Sequence, residues 1–349
     1  MAFGVLAFLG ALWGGLLRLG WPLPVVSSVA AFHGPLMVSG FLGTVIGMER
    51  AVALGRPWAY AAPLAAGLGA LALMTGRPGG VGPLLLTAAS LGLAAVFLAI
   101  LRRQAALFTV VMTLGAGAWL AGQVLWLWGW PLHRVVLWWA AFLVLTIAGE
   151  RLELSRLVRI SGVGRAAFLA AIALFLAGLV LTGIAADAGA RLSGVGLVVL
   201  ALWLARYDVA RRTVRQPGLT RFIALCLLSG YVWLGAAGLL AIVGGGVAAG
   251  PQYDALLHML FLGFVFSMIF GHAPIIFPAV LGWRVTFRPT FYAHLGLLHL
   301  TLILRVAGDL LTWLPARRWG GLLNVLALLL FFVNTAYGAL RPAAAARPA

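Results

Sequence analysis

The sequence predicts an all-α, polytopic membrane protein of about twelve transmembrane helices, and three observations predict it. Hydrophobic residues make up 64% of the 349 and charged residues only 9%, where a soluble domain is about a quarter charged. The mean hydropathy is +1.09. No soluble core hides that much apolar surface, so the solvent is lipid, which admits backbone whose hydrogen bonds close within a segment. Apolar runs near span length recur along the whole chain, and arginine is distributed unevenly between the loops that join them.

The expected spans are about 3–17, 24–48, 58–75, 81–101, 106–129, 133–149, 166–186, 192–205, 221–246, 254–279, 289–312 and 320–339. Most approach the roughly 20 residues that cross a bilayer. The first lacks a basic leading segment and a clear cleavage site, so it reads as a retained span rather than a signal peptide. Loops after even-numbered spans carry clusters such as Arg50 with Arg56, Arg102-Arg103, Arg156 with Arg159, Arg211-Arg212 with Arg215, and Arg284 with Arg288. Those after odd-numbered spans carry Arg18, Arg77, Arg134, Arg191, Arg317 and Arg318. The positive-inside bias then places both termini in the cytoplasm of a bacterial-type inner membrane. Residues 1–340 read as a single transmembrane domain and RPAAAARPA, 341–349, as a disordered tail.

The net charge of +17 is spread over short loops, which argues against a nucleic-acid partner and for a lipid bilayer. The basic residues are all arginine. The single cysteine, Cys226, excludes an internal disulfide, a thiolate cluster and a CxxCH haem attachment. No Walker, Rossmann, GxSxG or HExxH pattern occurs.

Polar side chains inside lipid are costly and mark function or a local partner. His33 in AFHGPLMVSGFLGTVIGMER, His133 in PLHRVVLWWAAFLVLTIAGER and His258 in ALLHMLFLGFVFSMIFGHAP each open an apolar run, on spans 2, 6 and 10. That interval is the one a four-helix unit used three times would leave, giving three pseudo-repeats. His33 is expected about 9 residues into its span and His258 about 4, or roughly 6–14 Å deep at 1.5 Å per residue. Similar depth suits two axial ligands of one haem, with Gly40, Gly43, Gly47 and Gly263 leaving room for a flat macrocycle. The plainer reading gives each ring a carbonyl partner and each glycine a packing role.

His272 lies 14 residues beyond His258, about 21 Å along a straight helix, so the two cannot serve one metal. By depth it pairs with His294, giving a candidate second metal site, while His299 sits near mid-membrane, five residues from His294 and not on its face. Met37 and Met268 bear thioethers near His33 and His272, although methionine at helical spacing is usually packing. Arg305 and Asp309, one turn apart, either neutralise each other or free Arg305 to hold a haem propionate. Glu49-Arg50 and Glu150-Arg151 are expected to form a structural network at the inner ends of spans 2 and 6.

ALLHMLFLGFVFSMIFGHAPIIFPAVLG and FYAHLGLLHLTLILRVAGDL, together with the early AFHGPLMVSGFLGTVIGMER, resemble the NnrS family of membrane proteins linked to nitric-oxide metabolism. The resemblance implies haem b and copper, with His33, His258, His272, His294 and His299 implicated by position. The layout is also similar to the haem–copper oxidase catalytic subunit, whose spans 2 and 10 hold a low-spin haem. The chain departs from that family in having no HH or HxH pair, so an oxygen-reducing binuclear centre and proton pumping are not expected. The resulting expectation is a b-type haem protein, with His33, His258 and Arg305 as the cofactor-binding residues. It would bind nitric oxide or pass electrons, its electron donor and any catalysis left open. The rivals are a twelve-span transporter without a cofactor and a membrane scaffold.

Overall fold

The computed structural model describes residues 1–76, 80–155, 160–282 and 285–340. The expected disordered tail, and the loop residues Arg77, Arg156, Arg159 and Arg284, lie outside the described residues. Helix accounts for 85% of the structure, and no strand occurs among the described residues. The helices are α1 (Ala2–Arg18), α2 (His33–Leu54), α3 (Pro57–Met74), α4 (Val81–Arg103), α5 (Leu107–Leu127) and α6 (Leu132–Leu154). They continue as α7 (Gly162–Leu181), α8 (Ala186–Tyr207), α9 (Gly218–Gly244), α10 (Pro251–Pro278), α11 (Phe291–Leu310) and α12 (Leu314–Leu340). Eleven of these are long and apolar enough to cross a membrane; α1 is a shorter apolar helix.

Two boundaries differ from expectation in ways that matter. The 14-residue span expected over 192–205 belongs to the 22-residue α8, whose first turns carry the polar residues Asp187 and Arg191. An i,i+4 ion pair of 2.8 Å between them supports that end. The second span does not run through from residue 24: a short helix, Ser27–Ala31, ends at Phe32, and α2 restarts at His33. Pro35 accounts for the restart, because proline is tolerated only in the first turn of a helix. His33 is therefore the first residue of its helix, not a side chain nine residues inside it.

The chain divides into two compact units, Met1–Glu153 and Leu154–Ala349. The division falls after α6 and does not follow the four-helix period expected from His33, His133 and His258. Apolar helices resemble one another in composition, so a spacing of three histidines carries little information about which helices pack together.

In the first unit, α1 offers small residues to its neighbours. Gly4 faces Thr44, Gly10 faces Met74 and Gly14 faces the backbone of Val29. Such residues let helices approach closely where lipid supplies no hydrophobic drive between them. Gly55, with φ +64°, ends α2 in a left-handed turn, and Arg103 Nη1 donates to the Leu54 carbonyl at 3.1 Å. Ala51, Leu54, Ala59 and Val96 bury together and seat this end of α2 against α4.

In the second unit, the approach of α8 to α9 brings Gly194 against the Gly238 backbone. Between α11 and α12, Gly308 faces the backbone of Arg317 and Gly320 faces that of Arg305. These two glycines bring both arginine-bearing backbones into close contact with the opposite helix.

Candidate functional site

Two spans share a backbone feature that composition does not reveal. In α2 the turns widen to π-helix over Leu36–Leu42, just after His33; in α10 they widen over Met259–Phe266, just after His258. π-turns inside α-helices recur at functional positions. In each, a hydroxyl beyond the wide turns donates to a glycine carbonyl within them: Thr44 to Gly40 and Ser267 to Gly263, both at 2.6 Å. Ser39, within the π segment of α2, is buried and accepts from Trp119 Nε1 at 3.1 Å and from Gln123 Nε2 at 2.5 Å.

His33 belongs to the first unit and His258 to the second, so each is taken with its own neighbours. His33 Nδ1 lies 2.6 Å from the Ala11 carbonyl oxygen on α1. Gly15 makes room for the ring, since a Cβ there would meet His33 Cε1 at 3.0 Å. His258 Nδ1 lies 2.7 Å from the Asp254 carbonyl oxygen, one turn earlier on α10. A carbonyl has no hydrogen to give, so each Nδ1 carries a hydrogen, and a ring in its neutral form then has its lone pair on Nε2. His272 has the same arrangement, with Nδ1 at 2.6 Å from the Met268 carbonyl. A histidine held through Nδ1–H by a carbonyl is oriented, and made more basic, for coordination through Nε2.

His294 and His299 are arranged the other way. Trp233 Nε1–H has only a hydrogen to give and meets His299 Nδ1 at 2.9 Å, so that nitrogen accepts. Asn334 Nδ2 meets His294 Nδ1 at 3.1 Å and the Thr290 carbonyl at 3.1 Å. Both rings then carry the proton on Nε2, and both Nε2 atoms are buried without a hydrogen-bond partner. His294 is enclosed by Phe222, Phe270, Phe291 and Phe331, with ring centroids 4.4 Å apart between the last-named ring and Phe270. These are core histidines, held in the tautomer opposite to that of a ligand coordinating through Nε2. Among the described residues, no three His, Cys, Asp or Glu side chains gather as a metal site. Met37 and Met268 are buried, Met268 against Gly230 of α9, which is a packing role. His133 is the second residue of α6 and is partly exposed, as an interfacial residue would be.

The charged groups near His258 pair differently from expectation. Arg305 does not pair with Asp309 one turn along its own helix. It grips Asp254 with both ends of its fork, Nε to Oδ2 at 3.0 Å and Nη2 to Oδ1 and Oδ2 at 3.2 and 2.9 Å. Asp254 presents both oxygens to the planar guanidinium from a neighbouring helix, which an i,i+4 partner reaches less well. Asp309, whose side chain is fully buried, lies 2.9 Å from Arg317 Nε, and Arg317 also reaches Asp254 at 3.7 Å. Nε and Nη2 are committed to Asp254, and the two N–H groups of Nη1 lie outside that pair. Asp254 and Arg317 were not singled out by sequence reasoning, yet the signal existed: PQYDALLH carries an acid four residues before the histidine, on the same helix face.

Of the two expected Glu–Arg pairs, Glu49, Arg50 and Glu150 form a network in the first unit. Arg50 bridges Glu150 and Glu49, the latter at 3.1 Å, and its guanidinium lies 5.6 Å from the Phe97 ring centre.

Among the described residues, eleven helices long and apolar enough to cross a membrane, carrying buried polar groups, define an all-α polytopic membrane protein. The chain belongs to the family described as Domain of unknown function (DUF8744), whose model matches residues 1–340. No curated protein matches it.

Proposed function

We propose that this is a b-type haem protein of the membrane, related in function to the NnrS proteins its sequence resembles, in which His33 of the first unit and His258 of the second are each an imidazole ligand for haem iron. One observation carries the reading. Each ring gives Nδ1–H to a backbone carbonyl, leaving Nε2 as the basic nitrogen, and a π-helical segment follows each histidine closely. The chain has no CxxCH, so the haem is held without a covalent link. Iron with both axial positions filled passes electrons, and iron with one position open binds a gas such as nitric oxide. Positive-inside bias supports a bacterial-type inner membrane with both termini in the cytoplasm.

The test is optical. Purified protein is expected to show a Soret band and reduced-minus-oxidised α and β bands, with haem b extracted by acidified solvent. His33→Ala and His258→Ala are each expected to lower haem content or change the ferric low-spin spectrum. A colourless preparation that folds and stays monodisperse defeats the reading, and so does unchanged haem in both variants. Metal analysis of the same sample decides copper.

A second reading rests on the four-charge group Asp254, Arg305, Asp309 and Arg317 inside the second unit. Intramembrane ion pairs line substrate paths in transporters. A cofactor-free transporter is the outcome favoured by a colourless preparation in which Asp309→Asn abolishes solute uptake into vesicles.

A further inference from the structure

We propose that Asp254 is a positioning and charge-setting residue for His258, and that the Asp254–Arg305 pair sets the redox potential of the iron His258 would hold. The inference rests on the haem reading above and deepens it. Asp254 meets the imidazole twice. Its main-chain carbonyl takes the Nδ1 proton at 2.7 Å, and its carboxylate oxygen Oδ2 lies 3.5 Å from the same nitrogen. The first contact is a hydrogen bond and orients the ring. The second is too long for a hydrogen bond and acts as a charge.

That division separates two roles that usually coincide. A carboxylate beside a ligating imidazole makes the ring a stronger donor and favours ferric over ferrous iron. Here the same Oδ2 is also bound by Arg305 Nη2 at 2.9 Å, and Arg317 stands 3.7 Å from Oδ1. Arg317 in turn faces Asp309 at 2.9 Å. The groups facing Asp254 from α11 and α12 are thus two arginines and the Asp309 carboxyl. Single substitutions change the charge of this group in opposite directions, while the Asp254 carbonyl and the Nδ1–H bond it accepts stay in place.

The sign of the effect follows from charge alone. Asp254→Asn removes a negative charge beside the imidazole, which disfavours ferric iron and raises the midpoint potential. Arg305→Met removes a positive charge and lowers it. The double variant, with the net charge of the wild type, is expected to return towards the wild-type value. Charges a few ångströms apart inside a protein interact strongly enough to change the ferric-to-ferrous ratio about tenfold, which is about 59 mV for a one-electron couple.

The experiment is a spectroelectrochemical titration of the full-length protein in detergent, with electron paramagnetic resonance of the ferric form and haem content measured on the same samples. Shifts of opposite sign in the two single variants, with haem retained, support the proposal. Shifts of the same sign, or no shift, in haem-loaded protein overturn it. If Asp254→Asn does not fold, Arg305→Met and the double variant carry the test: a potential unmoved in Arg305→Met overturns the proposal. A colourless wild-type protein instead overturns the haem reading, so the two failures are told apart.

Discussion

Removing Arg50 should destabilise the first unit several times more than removing either of its acidic partners. Arg50 is the centre of its network. It holds Glu150 and Glu49, and it packs over Phe97. Its side chain is 13% exposed, against 25% for Glu49 and 22% for Glu150. Arg50→Met leaves two neighbouring carboxylates with no cation between them. Stripping one partner from a buried pair costs about 3–5 kcal/mol; partial exposure of the carboxylates brings this to about 2–3 kcal/mol. Loss of the cation–π contact adds about 0.5–1 kcal/mol. Glu150→Gln keeps an oxygen for Arg50 and leaves Glu49 as counter-ion, so about 1 kcal/mol is expected, close to an ordinary lost polar contact. The assay is thermal unfolding in detergent followed by tryptophan fluorescence, with both single variants and the triple Arg50→Met, Glu49→Gln, Glu150→Gln. The expected order of melting temperatures is wild type, Glu150→Gln, then Arg50→Met, with the triple variant recovering most of the loss. If the triple variant melts below Arg50→Met, the penalty comes from lost contacts rather than stranded charge, and the argument fails.

Two further outcomes follow from packing and from tautomer. Gly194→Ala puts a methyl 2.6 Å from the Gly238 carbonyl oxygen, backbone that cannot yield without moving α8 from α9. A loss of about 1–3 kcal/mol is expected, whereas Gly117→Ala, which meets nothing within 4 Å, should be neutral or stabilising by up to about 1 kcal/mol. Equal melting temperatures for the two variants would contradict the close α8–α9 approach. His299→Phe should leave any haem spectrum unchanged while lowering stability by about 1–3 kcal/mol, because Trp233 Nε1–H loses its acceptor; a lost or altered Soret band would return His299 to the ligand set.

How much of this could be read before any coordinates depends on the scale of the feature. Spans were legible because lipid imposes a strong and simple rule: about 20 apolar residues with few charges. The restart at His33 was written in HGP, where a proline two residues after the histidine fits a first turn and not a helix interior. The π segments were not legible, since LMVSGFL and MLFLGFVF read as ordinary apolar helix and the widening depends on how the neighbouring helices press on them. Pairing of charges was half legible. Local spacing suggested Arg305 with Asp309, but the choice among carboxylates is made by three-dimensional approach, and Gly308 and Gly320 bring α12 close enough for Arg317 to take Asp309. Grouping of helices was least legible of all, because each apolar helix fits many neighbours.

The histidines carry the argument one step further than their positions do. By residue type, His258, His272, His294 and His299 are alike: all lie in apolar helices. What distinguishes them is the group facing Nδ1. A carbonyl faces His258 and His272, as it does His33 in the first unit, while an N–H donor faces His294 and His299. Since a neutral imidazole carries one proton, the partner at one nitrogen decides the chemistry available at the other. An N–H donor at Nδ1 puts a hydrogen where a metal would have to be; a carbonyl there leaves an electron pair. The partner comes partly from the local helix, as when the fourth preceding residue of α10 supplies its carbonyl to His258 or His272, and partly from elsewhere in the fold, as when Trp233 of α9 reaches His299. Exchanging those partners, rather than the histidines, is therefore the sharper test of which rings are built to bind: Trp233→Phe should free His299 Nδ1 and let its tautomer reverse, a change that the ring nitrogen shifts of ¹⁵N-labelled histidine report directly.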